Sequence, residues 1–332
     1  MSQARKDDDQ RERGNRPVPP RAGKGKGGSR PGRAGGSGGR SGPPPRGRQA
    51  RQATQRRNRT LAYAAVAAAV VIIAVFVAIG VSGGGSSGTP RQPAPQAAVD
   101  QLNSISLTTL VDGANRISPA VDATTATGGT LTQNGKPEVL FIGAEFCPIC
   151  AAERWPMTIA LMKFGTFTGL KTTHSAVADG DAGTWSYYGS TYSSPYLVFT
   201  PRELYTNQPS GNYYKPLDTL TKAQQAIWQA NEGSSANGLS FPFIDFGGKA
   251  VLESAQYSPT TIYNKSFSSI LASVGSNDNT IGAQIDSAAA VFTKYLCSIT
   301  NNQPGNVCSA VAKVNAPVTS SNTGTSTPAS GG

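Results

Sequence analysis

The sequence of 332 residues is poor in histidine and cysteine, with one histidine and four cysteines. The single histidine, His174, argues against a multi-histidine metal site and against a cysteine–histidine protease. A Walker phosphate loop, a dinucleotide-binding glycine fingerprint and a credible Ser–His–Asp set are also missing. The sequence contains no internal repeat of about 20–50 residues, which argues against a solenoid. These absences argue against nucleotide chemistry, triad hydrolysis and repeat architecture.

Residues 1–60 have few apolar side chains, but contain 17 Lys and Arg against 4 Asp and Glu. Ordering such a segment would cost conformational entropy with little burial to offset it, so we expect a disordered basic tail. The whole chain has a net charge of +11, whereas residues 61–332 carry 13 basic and 15 acidic side chains. The alkaline character therefore belongs to the tail alone.

Residues 61–81 form an uncharged apolar run, and three arginines stand just before it. As a helix the run would be ~31 Å long, which matches the hydrocarbon thickness of a bilayer. The positive-inside rule then predicts a cytoplasmic N-terminus and an extracytoplasmic C-terminal part. A cleaved signal peptide is the alternative, but a sixty-residue leader and the lack of a clean A-x-A site favour an uncleaved anchor.

Composition divides the rest into a Gly/Ser/Pro linker at 82–98, a globular domain at 99–314 and a disordered tail at 315–332. Within the domain, apolar runs and periodicity predict alternating strands and helices, and so an α/β or α+β fold. Strands are expected at 137–143, at 170–177 and at 196–200 with a turn at Pro201. A hairpin is expected at 243–253, and helices at 150–164, 220–230 and 281–299.

The segment 141–156 reads FIGAEFCPICAAERWP, a strand running into Cys-Pro-Ile-Cys and then into a helix. Cys147 would stand at the helix N-terminus, where free N–H groups and the helix dipole favour a thiolate. Pro148 suits the first helical turn because its missing N–H costs little there. Cys150 would lie one turn deeper, where it can attack a mixed disulfide on Cys147. This pattern is typical of redox cysteine pairs.

The run Phe-Ile-Gly-Ala-Glu-Phe-Cys-Pro-Ile-Cys resembles the thioredoxin-like superfamily. Phe-Pro-Phe-Ile-Asp-Phe-Gly-Gly-Lys at 241–249 resembles the strand that follows the cis-proline of that superfamily. The wider run AEFCPxCAAERW is most similar to an exported, membrane-anchored bacterial and archaeal family with a CPxC motif. The resemblance implies a thioredoxin-like central sheet flanked by helices, with an insertion at about 180–240 before the cis-proline strand. This aromatic-rich insertion would form a lid, an aromatic peptide-binding surface or a second small core.

The resemblance also implies roles for individual residues. Cys147 would attack, Cys150 would resolve, and Pro242 would carry a cis bond and shape the substrate groove. The groove would be lined by Phe146, Pro148, Ile149 and Phe241. No bound cofactor is needed; the substrates would be cysteines of exported proteins, and a membrane oxidase or reductase could be the redox partner. Oxidase, reductase and isomerase remain open.

One departure from the family pattern concerns the proton acceptor. Thioredoxins keep a buried Asp six residues before the first cysteine, and this chain has Phe141 there. Glu145 and Glu153 are the candidate substitutes, although a Glu near a helix start usually just complements the dipole.

Cys297 and Cys308 bracket a short loop rich in turn residues. The expected arrangement is a structural disulfide, contributing about 3 kcal/mol in the chain-entropy model. A second redox pair is the alternative.

Two other functions stay open for the Cys147–Cys150 pair. One is a non-catalytic envelope binding module in which the pair is a structural disulfide. The other is metal delivery through the two cysteines and His174, although no metal site is expected. The basic tail is expected to meet anionic lipid rather than nucleic acid.

Overall fold

The computed structural model describes residues 88–231 and 241–320. Two short 3-10 helices, Val177–Asp179 and Pro259–Ile262, lie among the strands and longer helices. The other elements are, in chain order, β1 (Gln92–Pro93), α1 (Gln96–Ser104), α2 (Leu107–Arg116), β2 (Ala123–Thr125), β3 (Thr132–Gln133), β4 (Lys136–Gly143), α3 (Pro148–Leu161), β5 (Thr166–Thr168), β6 (Lys171–His174), β7 (Gly183–Ser186), β8 (Thr191–Ser193), β9 (Val198–Glu203), β10 (Tyr205–Ser210), β11 (Tyr213–Pro216), α4 (Lys222–Asn231), β12 (Phe243–Phe246), β13 (Ala250–Leu252), α5 (Phe267–Leu271), α6 (Thr280–Ile299), α7 (Gly305–Ala310) and β14 (Val318–Thr319).

The main sheet is mixed and has the strand order β14-β2-β13-β12-β4-β3, with β9 also paired to β4. The chain leaves β4, passes through α3 and returns to the sheet in β9, which is parallel to β4. On the other side of β4, β12 runs antiparallel and forms a hairpin with β13. The expected α/β class is confirmed in this coarse form, a multi-stranded sheet with helices packed on it.

Alternation along β4 divides the core between the two faces of the sheet. Val139 and Phe141 belong to the larger cluster, which includes the buried residues of α3 and α6. Leu140 and Ile142 instead pack in a smaller cluster that contains Trp228 of α4. A strand covered on both faces is apolar at every position, which explains the uninterrupted run at 139–142.

Helix α3 is buried along its whole length. Pro156 lies inside the helix, where proline removes the hydrogen bond to the carbonyl four residues earlier. That carbonyl, on Ala152, instead accepts a hydrogen bond of 2.8 Å from the hydroxyl of Tyr257. The helix therefore tolerates its proline because a side chain from another element satisfies the freed acceptor.

The linker prediction is wrong for residues 88–98, which pack on the domain. Strand β1 pairs with β6, and α1 begins at Gln96 and buries Ala98 and Leu102. Gly/Ser/Pro composition lowers the local preference for structure, but burial of these apolar side chains and the β1–β6 pairing outweigh it.

The disordered-tail prediction is wrong for residues 315–320. Strand β14 pairs in parallel with β2, and the hydroxyl of Tyr295 donates to the carbonyl of Pro317 at 3.0 Å. The remaining predicted tail residues, 321–332, lie outside the described residues.

Two strands differ from their expected form. The strand expected at 170–177 is the shorter β6, and it pairs with β1 and β7 in a separate sheet. Strand β9 continues through Pro201 rather than turning there. Within the described residues β9 pairs only with β4, so it is an edge strand of the main sheet. An edge strand tolerates a residue without an N–H. Since β9 lies inside the expected insertion at 180–240, that segment is two excursions separated by a strand of the main sheet.

The predicted basic tail at 1–60 and the predicted membrane span at 61–81 lie outside the described residues. Across residues 88–231 and 241–320, no helix combines the length and hydrophobicity needed to cross a bilayer.

Candidate functional site: the cysteine pair at the start of α3

Cys147 is the N-cap residue of α3, directly after the loop that leaves β4. Its Sγ accepts a hydrogen bond from the backbone N–H of Cys150 at 3.2 Å, and Pro148 occupies the first helical turn. A side chain at this position satisfies one of the free amide groups of the first helical turn. The Cys147 sulfur therefore lies at the N-terminal end of the helix dipole.

Both cysteines are free thiols and both are buried, with 2% of Cys147 and 0% of Cys150 exposed. Burial raises the pKa of Cys150 well above its ordinary value, and the neighbouring Cys147 raises it further. Arg154 and the backbone of Ala144 act in the opposite direction and lower the pKa of Cys150. Cys150 is therefore held as a neutral thiol whose ionisation depends on its charged neighbours.

The loop before β12 lies against Cys147. The Phe241–Pro242 peptide bond is cis, and the Cys147 thiol donates to the carbonyl of Phe241 at 3.7 Å. Pro242 is buried and Phe241 is half-buried. Sequence reasoning assigned both residues to the groove, and the structure brings this loop to the cysteine pair.

An aromatic cluster surrounds Phe146, the residue before Cys147. Phe146 stacks on Tyr214 with ring centroids 4.2 Å apart, and it makes edge or tilted contacts with three further rings. These are Tyr205, Tyr213 and Phe241. We refer to Phe146, Tyr205, Tyr213, Tyr214 and Phe241 as the aromatic cover.

The tyrosines of the aromatic cover come from the β10–β11 hairpin. Burial raises the pKa of Tyr213 to about 12, and the nearby Tyr205, Cys147, Asp179 and Cys150 add to the shift. Tyr213 remains 40% exposed. One side of the aromatic cover therefore faces solvent, and the other side faces the cysteines. The sequence marked these tyrosines only as part of an aromatic-rich insertion, without a position relative to Cys147.

Ile149, between the cysteines, is 5% exposed, and Pro148 is also buried. All four residues expected in the groove therefore lie beside or between the cysteines, but three of them are covered. Cys147 itself is buried, and its sulfur contacts the backbone of Phe241, one member of the aromatic cover.

Neither of the two candidate proton acceptors hydrogen-bonds a cysteine sulfur. Glu145 is 1% exposed; it accepts from Ser186 at 2.6 Å and forms an ion pair of 2.9 Å with Arg91. Arg91 also lies over the ring of Tyr188, at 4.6 Å from the centroid. The carboxylate of Glu145 is thus paired with Arg91, in the segment just before β1.

Glu153 lies on α3 and is fully buried. Its Oε2 accepts a hydrogen bond from the backbone N–H of Gln256 at 2.9 Å, while its Oε1 has no hydrogen-bond partner within residues 88–231 and 241–320. Burial raises the pKa of Glu153 to about 8, and the Gln256 amide only partly offsets this. Glu153 is therefore a neutral acid at pH 7, next to Gln256 rather than to the thiols.

A second buried ion pair, missed by sequence reasoning, joins α3 to β9. Both nitrogens on one side of the Arg154 guanidinium bind Glu203, with Nε–Oε1 at 2.9 Å and Nη2–Oε2 at 2.7 Å. Both side chains are 0% exposed. The only signal for this pair in the sequence is a charged Arg in an apolar helix, and nothing there indicates its partner.

Cys297 and Cys308 form a disulfide that links the end of α6 to α7. Their Cα atoms are 5.6 Å apart, and both side chains are buried. The pair lies at the chain's C-terminal helices and serves to hold them together.

His174 lies on β6, where its Nδ1 is 3.0 Å from a carboxylate oxygen of Asp181. Within the described residues, no three His, Cys, Asp or Glu side chains are grouped as metal ligands. His174 therefore contacts an acidic partner and does not join the cysteines as a ligand set.

Comparison with known proteins places this site within a family. A family model described as a domain of unknown function (DUF929) matches residues 124–298. The chain belongs to the DUF929 family. The matched region begins in β2 and ends in α6, so it contains the cysteine pair, Pro242 and the Arg154–Glu203 ion pair. Arg91 and Cys308 lie outside it. No curated protein and no solved structure matches the chain.

Proposed function

We propose that the protein is a thiol–disulfide oxidoreductase with a thioredoxin-like fold, acting on cysteines of exported proteins. The observation that carries the proposal is the position of Cys147, whose sulfur caps α3 and accepts the amide hydrogen bond of Cys150. The cis bond at Pro242, in the loop whose carbonyl contacts Cys147, supports the same proposal. So does the mixed sheet in which β4, α3 and β9 form a parallel crossover beside the β12–β13 hairpin.

The chemistry proceeds in two balanced exchanges. The Cys147 thiolate attacks one sulfur of a substrate disulfide; a bond forms to Cys147 and the second substrate sulfur leaves as a thiolate. Cys150 then attacks the Cys147 sulfur, the intramolecular disulfide forms, and the first substrate sulfur leaves with the electron pair. The substrate is reduced by two electrons and the cysteine pair is oxidised. The reverse sequence oxidises a substrate dithiol.

The cellular placement is part of the same proposal. The apolar run at 61–81 would anchor the chain in the membrane with residues 1–60 in the cytoplasm. The Cys297–Cys308 disulfide suits an oxidising compartment outside the cytoplasm. A membrane oxidase or reductase would then reset the Cys147–Cys150 pair.

A non-catalytic binding module is the second candidate, and burial of both cysteines favours it. Inert structural cysteines are typically buried, whereas catalytic ones are partly exposed. However, the two thiols are not joined to each other, so this candidate lacks the structural disulfide that was expected for it.

Alkylation of the reduced full-length chain separates the two functions. For the oxidoreductase, Cys147 reacts rapidly with iodoacetamide at neutral pH, where a free cysteine with a pKa of ~8.5 is mostly protonated. The pair should also equilibrate with glutathione, and a potential above about −270 mV would identify an oxidant or isomerase. Cys147→Ser is the control that removes the reactive thiol. A chain in which neither cysteine reacts until it unfolds would instead be a binding module.

A further inference from the structure

Arg154 is a buried cation one helical turn after Cys150. Its side chain is 0% exposed, and beyond the Glu203 contacts its Nη2 donates to the carbonyl of Ala144 at 2.8 Å. Its Nη1 is buried and has no hydrogen-bond partner among the residues that the structure describes. Burying a charge is expensive even when it is paired, and an ion pair between apolar layers is weak evidence for a purely stabilising role.

The guanidinium and the Cys150 sulfur lie on one face of the same helix, because residues four apart are neighbours on a helix surface. The peptide groups of Ala144 tie the two together: its carbonyl binds Arg154 and its backbone interacts with the Cys150 thiol. Both side chains are shielded from water, so their interaction is weakly screened.

We propose that Arg154 is a positioning residue that stabilises Cys150 as a thiolate during disulfide exchange. This inference rests on the proposed oxidoreductase function. In the resolving step, Cys150 loses its proton to solvent and its sulfur attacks Cys147. The Cys147–Cys150 bond forms, and the substrate sulfur leaves with the electron pair of the broken bond. In the opposite direction Cys150 is the leaving group, and the same positive charge speeds its departure.

Other charged and titratable groups around Cys150 set the size of this effect. Cys147 on α3 raises the pKa of Cys150, and Arg154 lowers it. Glu203 on β9 and Glu145 after β4 both interact with Arg154, and Arg91 in turn pairs with Glu145. Tyr213 on β11 is close enough for Cys150 to contribute to its raised pKa. The negative charge of Glu203 therefore opposes the effect of Arg154. Removing Arg154 should raise the pKa of Cys150, and removing the charge of Glu203 should lower it.

The experiment follows thiolate release from the chromogenic disulfide dithionitrobenzoate, added to the full-length chain with only Cys147 and Cys150 reduced. The first equivalent reports the attack by Cys147, and the second reports the attack by Cys150 on the mixed disulfide. Arg154→Met should slow the second release about tenfold at pH 7 and move its pH profile to higher pH. Arg154→Lys keeps a positive charge and should recover much of the rate.

Glu203→Gln is the matched variant, because it removes the opposing charge from the same ion pair. It should shift the second-release profile to lower pH, a direction that simple loss of structure would not produce. If Arg154→Met does not fold, the Glu203→Gln profile alone decides the matter. If the second release is unchanged in these variants, or if its pH profile shifts in the same direction in both, the role of Arg154 is overturned. The proposed oxidoreductase function is not affected by that result. Absence of the first release in the unmodified chain overturns the proposed function, and the role of Arg154 with it.

Discussion

At the scale of residues, α3 carries three kinds of chemistry on neighbouring positions. Cys147 caps the helix, Glu153 accepts from Gln256 as a buried acid, and Arg154 pairs with Glu203 beside Cys150. Glu153 and Arg154 are adjacent in sequence but are not paired with each other. Successive helix positions point about 100° apart, so adjacent residues reach different partners.

Glu153 makes the stability of the fold depend on pH. Its pKa is about 8 in the folded chain and near 4.5 without burial. Between these values the carboxyl ionises only in the unfolded chain, so the free energy of unfolding falls as the pH rises from about 4.5 to 8. Glu153→Gln should remove this contribution and be more stable than the unmodified chain by roughly 4 kcal/mol at pH 8, with little difference near pH 4.

Urea unfolding of both chains between pH 4 and pH 8 measures this difference. Asp278→Asn, at an exposed position, is the control and should follow the unmodified chain throughout. A Glu153→Gln curve parallel to that of the unmodified chain would mean that Glu153 is ionised in the folded protein.

At the scale of elements, the site is assembled from four segments of the chain. The β4–α3 junction supplies the cysteines, the loop before β12 supplies Pro242, β9 supplies Glu203, and the β10–β11 hairpin supplies the aromatic cover. The hairpin is the most peripheral of these, because β10 and β11 pair with each other in a separate two-stranded sheet. Its three tyrosines contact Phe146, the residue before Cys147.

Tyr214 tests whether the aromatic cover shields Cys147. Its ring stacks on Phe146 and its hydroxyl donates to Asp179 at 3.1 Å. Tyr214→Ala removes both contacts and should accelerate alkylation of Cys147 several-fold, since the stacked ring no longer restrains Phe146. Tyr214→Phe keeps the ring and loses only the hydroxyl, so its alkylation rate should stay near that of the unmodified chain. Equal rates in all three chains would show that the hairpin does not limit access.

The local pattern predicted most of the elements that carry this site. The strand at 137–143 and the helix after the cysteines were expected close to their observed positions, β4 and α3. Short-range features predict these two elements: a brief apolar run, turn residues at its ends and proline in the first helical turn. A lid from the aromatic-rich insertion was among the expectations. The stacking of Tyr214 on Phe146 was not predicted, because the two residues are far apart in the sequence and stacking leaves no periodic signal.

At the scale of the whole molecule, both flanks of the globular region join the fold. Near the N-terminal end, Arg91 reaches the buried Glu145, while Asn207 and Gln208 bind the carbonyls of Thr89 and Gly88. Near the other end, β14 extends the main sheet. If residues 61–81 anchor the chain in a membrane, as proposed, the segment that follows them forms an ion pair with Glu145, two residues before Cys147.

Arg91 should matter to stability although it lies outside the matched family region. Arg91→Met leaves the carboxylate of Glu145 buried without its cation, and Arg91 is itself 23% exposed, so solvent screens part of the loss. We expect a decrease of about 1–3 kcal/mol in the free energy of unfolding. Urea unfolding of the full-length chain measures it, with Arg116→Met as a control far along the sequence. A fragment starting at residue 96 should show at least the same loss relative to one starting at residue 88, because it also lacks β1.

By itself, the sequence determined the local features of the candidate site: a Cys-Pro-Ile-Cys run at a strand–helix junction, a proline before a later strand, and an α/β pattern around them. These are local signals, written within a few residues of each feature. Only the tertiary structure decided which charges surround the cysteines, because Arg154 and Glu203 are 49 residues apart and Arg91 and Glu145 are 54 apart. It also decided that the cysteines are buried, since the segments that pack over them come from distant parts of the sequence.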